Sequence, residues 1–354
     1  MTRSSYNPSL HRVALLTAVA TFPLIFMGGL VTSHGAGMSV PDWPNSYGYN
    51  MFTFPPSIWL SRQAGGVFYE HSHRLMGSVV GMLSIVLTVW AWRTESRRWV
   101  RWLATSVLGA VILQGLLGGL RVVLVQLDLA VVHACFAQAF FCLAALTAVV
   151  TSKGWAGARA DAAGEDRNAF RLAAALVVVV YAQLVAGATM RHYGAGLAIP
   201  DLPLAYGKVL PPVTSAGLEL ANTARRWDAG LPGVTLGQVW LHFSHRVGAV
   251  AVTAVAAALI ARVVRRKRRD LFAGAAVLAA LLLAQLTLGV LTVLWRKPAD
   301  VASLHVAVGA LVLVTSFVTA VRAARVNWLH AGTYAAPQRF EPIDMRGGAE
   351  LAPA

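Results

Sequence analysis

The sequence predicts an all-α membrane protein with eight transmembrane helices. They form two tandem four-helix bundles related by a pseudo-two-fold axis along the membrane normal. Three observations predict this: long apolar blocks, basic residues that sort by side, and an internal repeat. Of 354 residues, 57% are hydrophobic and only 13% are charged, where a soluble domain would carry about 25% charge. Mean hydropathy is +0.60. Spans are expected near 12–32, 70–92, 99–121, 130–152, 170–190, 239–262, 271–294 and 301–323. The block 271–294, for example, is long enough to cross roughly 30 Å of hydrocarbon as a helix.

The net charge of +15 has a membrane explanation, so no nucleic-acid partner is expected. The N-terminus, the 93–101, 153–171 and 262–269 loops and the C-terminal tail hold 20 of the 30 Lys and Arg. The alternate connections hold 8, and Arg74 and Arg246 fall within spans. The positive-inside rule therefore places both termini in the cytoplasm of a multi-pass cell-membrane protein. The first apolar block has no small-residue cleavage site behind it, so it reads as a span. Cys135 and Cys142, seven residues apart on one expected helix, read as small packing groups and not as a disulfide.

Residues 35–44 (GAGMSVPDWP) match 194–203 (GAGLAIPDLP) at an offset of 159. Ser72-His73-Arg74 matches Ser244-His245-Arg246, and His133 matches His305, at 172; Gln114 and Gly118 match Gln285 and Gly289 at 171. The repeated Gln and Gly, four residues apart, suggest close helix packing. An even number of spans per copy makes the repeat parallel. The expected units are an N-terminal half at 1–152, a cytoplasmic linker at 153–169, a C-terminal half at 170–325 and a cytoplasmic tail at 326–354, disordered or loosely docked.

Four of the ten histidines stand out: His73 and His133, and His245 and His305, each pair 60 residues apart. All are expected in the first turns of outside-to-inside spans, near the outer surface. Ionisable side chains inside spans mark functional sites by default. Two facing imidazoles suit the axial positions of heme iron; zinc needs a fuller ligand set, which no Cys or carboxylate cluster completes. Each copy is thus expected to bind one heme-type macrocycle. Arg74 and Arg246 follow two of the histidines. They read equally as partners of heme propionates or as side chains snorkelling to headgroups.

The copies differ at one informative position. Glu70 lies one turn before His73, and its match is His242. A carboxylate there could move protons or stabilise positive charge on a substrate; the alternative is a surface Glu at a helix start. On the first reading the first copy hosts chemistry and the second holds a fixed heme. The repeated Pro41-Asp42-Trp43-Pro44 and Pro200-Asp201-Leu202-Pro203 read as stiff lids over the pockets, or as direct contacts to a substrate or partner. His71 and His242 are further histidines beside the pockets, with no role assigned.

Together, residues 28–44, Glu70-x-x-His73-Arg74, His133, Ser244-His245-Arg246 and His305 resemble the heme A synthase family, over about residues 12–323. That resemblance implies an eight-span oxidoreductase that oxidises a ring methyl of heme O to a formyl, giving heme A. It implies heme b on His245 and His305, substrate heme on His73 and His133, and Glu70 as the catalytic carboxylate. Implied partners are heme O synthase, cytochrome oxidase assembly as the consumer of product, and an unidentified electron-transfer partner. A homo-oligomer is left open. Some family members carry a cysteine pair in the first outer loop; residues 33–69 contain none.

Two other classes compete: a di-heme b-type electron carrier without substrate chemistry, and a heme carrier. The asymmetry at Glu70 favours the enzyme. On this reading Glu70→Ala is expected to stay folded and heme-loaded while losing product formation.

Overall fold

A computed structural model describes residues 6–156, 166–227 and 229–334, with side chains up to residue 325. The long helices are α1 (Pro8–Ser33), α3 (Gly66–Thr94), α4 (Arg98–Val123), α5 (Leu127–Thr151), α7 (Arg167–His192), α9 (Leu236–Arg265), α10 (Arg269–Leu294) and α11 (Ala299–Tyr334). Short helices α2 (Pro56–Trp59), α6 (Lys153–Ala156) and α8 (Ser215–Trp227) sit in connections. Among the described residues, eight helices are long and apolar enough to span a membrane, the last counted over Ala299–Arg325. In hydrocarbon every backbone polar group must be satisfied inside the protein, so each apolar block becomes one uninterrupted helix.

Local chemistry sets several starts. Asn7 accepts from the amides of Ser9 and Leu10, with Pro8 in the first helical position. Thr235 and Gln238 form a reciprocal capping box at the head of α9. Several helices begin ahead of their apolar blocks. α3 begins at Gly66 and α9 at Leu236, ahead of the expected 70 and 239. The four histidines therefore lie six to nine residues inside their helices, about 9–14 Å along the axis. That is deeper than the first-turn position expected from the sequence. α11 also continues to Tyr334, beyond the expected boundary at 325. Residues 157–165 of the expected linker and 335–354 of the expected tail lie outside the described residues.

Each half has its own core. One cluster includes Leu10, Val80, Leu87, Val107 and Phe140; another includes Leu176, Leu259, Leu278 and Leu313. A seam joins them through Ile25, Phe141 and Ala310. Polar contacts cross the same seam, with Ser33 and Ser303 hydroxyls 3.0 Å apart and the Tyr181 hydroxyl donating to the Cys135 carbonyl at 3.3 Å. Both cysteines are free, as expected.

At the opposite end, Asp166 caps α7 through the Ala169 amide and takes a bidentate fork from Arg262, with contacts of 2.7–3.1 Å. Burial raises the Asp166 pKa, but the Arg262 hydrogen bonds, the Ala169 amide and the Arg262 and Arg268 charges together outweigh it and hold the carboxyl below its ordinary value. A carboxylate with a lowered folded-state pKa contributes stability above its unfolded pKa and loses it as pH falls through the folded one. Asp166→Asn is therefore expected to cost about 1–3 kcal/mol at neutral pH. The deficit relative to wild type should vanish at strongly acidic pH, as read by thermal unfolding in detergent.

Candidate functional site

The site is built on α3, α5, α9 and α11. The His73 and His133 rings lie 6.4 Å apart, centroid to centroid, at an interplanar angle of 76°. The His245 and His305 rings lie 6.4 Å apart at 69°. The Nδ1 atoms of His73, His133 and His245 are buried and without a hydrogen-bond partner, while that of His305 is 3.2 Å from the Gln285 carbonyl.

Each imidazole rests on a glycine of the neighbouring helix. A Cβ at Gly28 or Gly187 would stand 3.0 Å from Cε1 of His73 or His245. At Gly118 or Gly289 it would stand 2.9 or 3.1 Å from Cε1 of His133 or His305. Sequence reading noticed Gly118 and Gly289 but missed Gly28 and Gly187, although they share the 159 offset. The glutamines complete the setting. The Gln114 amide donates to the His133 carbonyl at 2.9 Å, and the Gln114 and Gln285 amide nitrogens lie 3.3 and 3.4 Å from Nε2 of His133 and His305. Gln183 donates to the His245 carbonyl at 2.7 Å.

The loops at 35–49 and 194–208 are fastened to the same helices by a repeated set of contacts. The Asp42 carboxylate accepts from the Tyr47 and Gly48 amides at 2.7 and 2.8 Å, and Asp201 accepts from those of Tyr206 and Gly207 at 2.8 and 2.9 Å. Burial raises the Asp42 pKa, but these amides and the Arg74 charge hold it below its ordinary value. The Tyr47 and Tyr206 hydroxyls donate back to the Ser39 and Ala198 carbonyls. These tyrosines also keep the 159 offset, and sequence reading stopped just short of them. Arg74 donates to the carbonyls of Val40, Asp42 and Asn45 at 2.7–2.8 Å. Arg246 donates to those of Ile199 and Leu204 at 2.9 Å. Both guanidinium groups are thus engaged as loop clamps, a role sequence reading did not weigh.

Glu70 is 3% exposed, so it is not a surface residue. It accepts from the Val40 amide at 2.8 Å and pairs with Arg74 at 3.0 Å. His242, its match, accepts from the Ile199 amide at 3.2 Å through Nδ1. Two different side chains hold equivalent points of the two loops. The copies diverge beside this point. Buried His71 bonds the Ser46 hydroxyl at 3.2 Å and packs on Phe54 and Trp59. The corresponding Phe243 and Ala205 share an apolar cluster.

Among the described residues no three His, Cys, Asp or Glu side chains converge on a metal-ion position. The histidine pairs suit a different ligand. A metal–imidazole bond near 2 Å puts two ring centroids roughly 6 Å apart across one metal, as in both pairs. The paired imidazoles would hold the metal of a macrocycle, and the glycines beside the rings give them room.

The profile described as Cytochrome oxidase assembly protein, COX15-CtaA, matches residues 11–317. The chain belongs to this family. Among similar proteins, the one named heme A synthase of Symbiobacterium thermophilum is 30% identical over 299 residues, 80% of this chain and 85% of the relative. That of Geobacillus kaustophilus is 27% identical over 303 residues, 84% and 86% of the two chains. That of Hyphomonas neptunium is 26% identical over 361 residues, 91% and 96%. The COX15-CtaA match contains all four histidines, Glu70 and both loop motifs.

The Glu70 contacts change the expected behaviour of its variants. Alanine at position 70 strands the Val40 amide and the Arg74 charge in a buried place, which should cost about 3–5 kcal/mol. Glutamine keeps an acceptor for Val40 and should cost less than half as much. Thermal melts of Glu70→Ala and Glu70→Gln, side by side in detergent, check the order. Glu70→Gln, not the alanine variant expected to stay folded, is therefore the cleaner probe of chemistry.

Proposed function

We propose that this chain is a membrane oxidoreductase that converts heme O to heme A, oxidising a ring methyl to a formyl by successive hydroxylations. The observation that carries this reading is the duplicated imidazole pair, 6.4 Å apart in both halves, in a COX15-CtaA chain similar to proteins named heme A synthase. His245 and His305 hold heme b, which supplies one-electron redox chemistry when bound. His73 and His133 hold the substrate heme O. Glu70 is the catalytic carboxylate. The Val40 amide and Arg74 fix its orientation, and its charge stabilises positive charge developing at the oxidised methyl or receives the proton released there. Arg74 and Arg246 position the loops that close each pocket from the outer side.

The two hydroxylations take the methyl through a hydroxymethyl to a hydrated formyl, which sheds water. With water as the oxygen source, each hydroxylation releases two protons and two electrons, and the electrons pass to a separate electron-transfer partner. The substrate comes from heme O synthase and the product goes to cytochrome oxidase assembly. The N-terminal half is the substrate half and the C-terminal half the heme b half, with both termini in the cytoplasm by the distribution of basic residues.

One observation favours a di-heme electron carrier instead: Glu70 and His242 make the same loop contact, so the asymmetry is not needed for chemistry alone. Pigment extraction from cells making this chain together with heme O synthase separates the two. Heme A should appear only with both proteins present, and Glu70→Gln should abolish it while leaving the b-type spectrum intact. A b-type spectrum without heme A in the wild type would favour the carrier. Independently, His245→Ala and His305→Ala should each remove most of the b-type heme from the purified protein, as read by its absorption spectrum.

A further inference from the structure

Arg191 ends α7 on the seam between the halves. Its Nη2 donates to the Gly29 carbonyl and the Ser33 hydroxyl on α1, and its Nη1 lies 3.5 Å from the Ala302 carbonyl on α11. Ala302 is three residues before His305, on the same face of α11. The match of Arg191 in the first half is Thr32, whose hydroxyl turns back onto the Gly28 carbonyl at 3.2 Å. The cation is therefore a feature of one copy only.

No carboxylate answers this charge: Arg191 makes no ion pair among the described residues. Its Nε has no hydrogen-bond partner there either. A partly buried guanidinium bonded only to neutral oxygens is costly in a low-dielectric setting. The arginines adjacent in sequence to the histidines also donate to carbonyls, but those belong to the 35–49 and 194–208 loops; Arg74 pairs with Glu70, and Arg246 keeps a buried Nε without a partner among the described residues. A dicarboxylate macrocycle between His245 and His305 would bring an anion within reach of the helix turn that Arg191 touches.

We propose that Arg191 is the carboxylate receptor of the second pocket, binding a propionate of the macrocycle held by His245 and His305. The assignment rests on the reading of that histidine pair as a heme site. Arg191 thus binds cofactor while its Gly29 and Ser33 contacts tie the first half to the second. The guanidinium fork matches a carboxylate in a way an ammonium does not.

The test uses the full chain in detergent, with His73→Ala to silence the first pocket, stripped of heme and titrated with hemin or hemin dimethyl ester. The Arg191-competent protein should prefer hemin about tenfold or more, as expected for one charge-assisted pair. Arg191→Gln should reduce that preference to about two-fold or less without weakening the ester, and Arg191→Lys should keep part of it. In the as-purified holo-protein, the propionate bands of the resonance Raman spectrum should shift in Arg191→Gln. An unchanged hemin-to-ester ratio in Arg191→Gln overturns the proposal. So does an equal loss of affinity for both macrocycles, which would mark Arg191 as a structural tie across the seam. A loss of the ratio seen only in a His245→Ala background would move the receptor to the first pocket and overturn the assignment. If neither macrocycle gives a bis-imidazole spectrum, the heme-site reading fails, and the receptor with it.

Discussion

Two imidazoles can face each other across a helical bundle only where the helices beside them yield space. Here that space comes from glycine, at Gly28, Gly118, Gly187 and Gly289, each lying against one ring. With a side chain at these positions the rings would be pushed by several tenths of an ångström or more, and the common 6.4 Å spacing of the two pairs would be lost. Helix packing in a membrane already favours small residues at close approaches, so the requirement of the pocket and that of the bundle coincide.

The second level of order is the fastening of the loops at 35–49 and 194–208. In both halves an arginine that follows a pocket histidine gathers loop carbonyls, an aspartate gathers two loop amides, and a tyrosine hydroxyl closes the turn. Charge-assisted bonds of this kind are among the stronger ones available. The clamps and the histidines share a helix turn, since Arg74 and Arg246 directly follow His73 and His245. Glu70 is a structural acceptor there and, as proposed, a reacting group.

Much of the fold was legible in the sequence. The eight apolar blocks, the matched histidines and the repeat all have signals that survive without tertiary context, since hydrocarbon permits little besides helices. Helix starts were less legible, because α3 and α9 run on into polar residues that no apolar pattern marks. In the site, the imidazole pairs were legible from equal spacing. Gly28 and Gly187 were not, being two of 31 glycines, and only the 159 offset singles them out. The clamping role of Arg74 and Arg246 was hidden because their acceptors are backbone carbonyls, which carry no sequence signature. Arg191 was hidden for the opposite reason: the repeat gives it no counterpart, and an isolated arginine at a helix end is ordinary.

The duplicated halves also exchanged neighbours in pairs. Where one has His71 against Ser46, the other has Phe243 against Ala205. Grafting segment 35–49 onto the later half would set the Ser46 hydroxyl against a phenyl ring, with no acceptor in a dry crevice; the reverse graft would rob the His71 imidazole of its bond. Each loop is thus private to its own helix, so recombination between the halves would yield chains handicapped at birth. This lock-and-ward arrangement keeps the two loop–helix pairings from being interchanged.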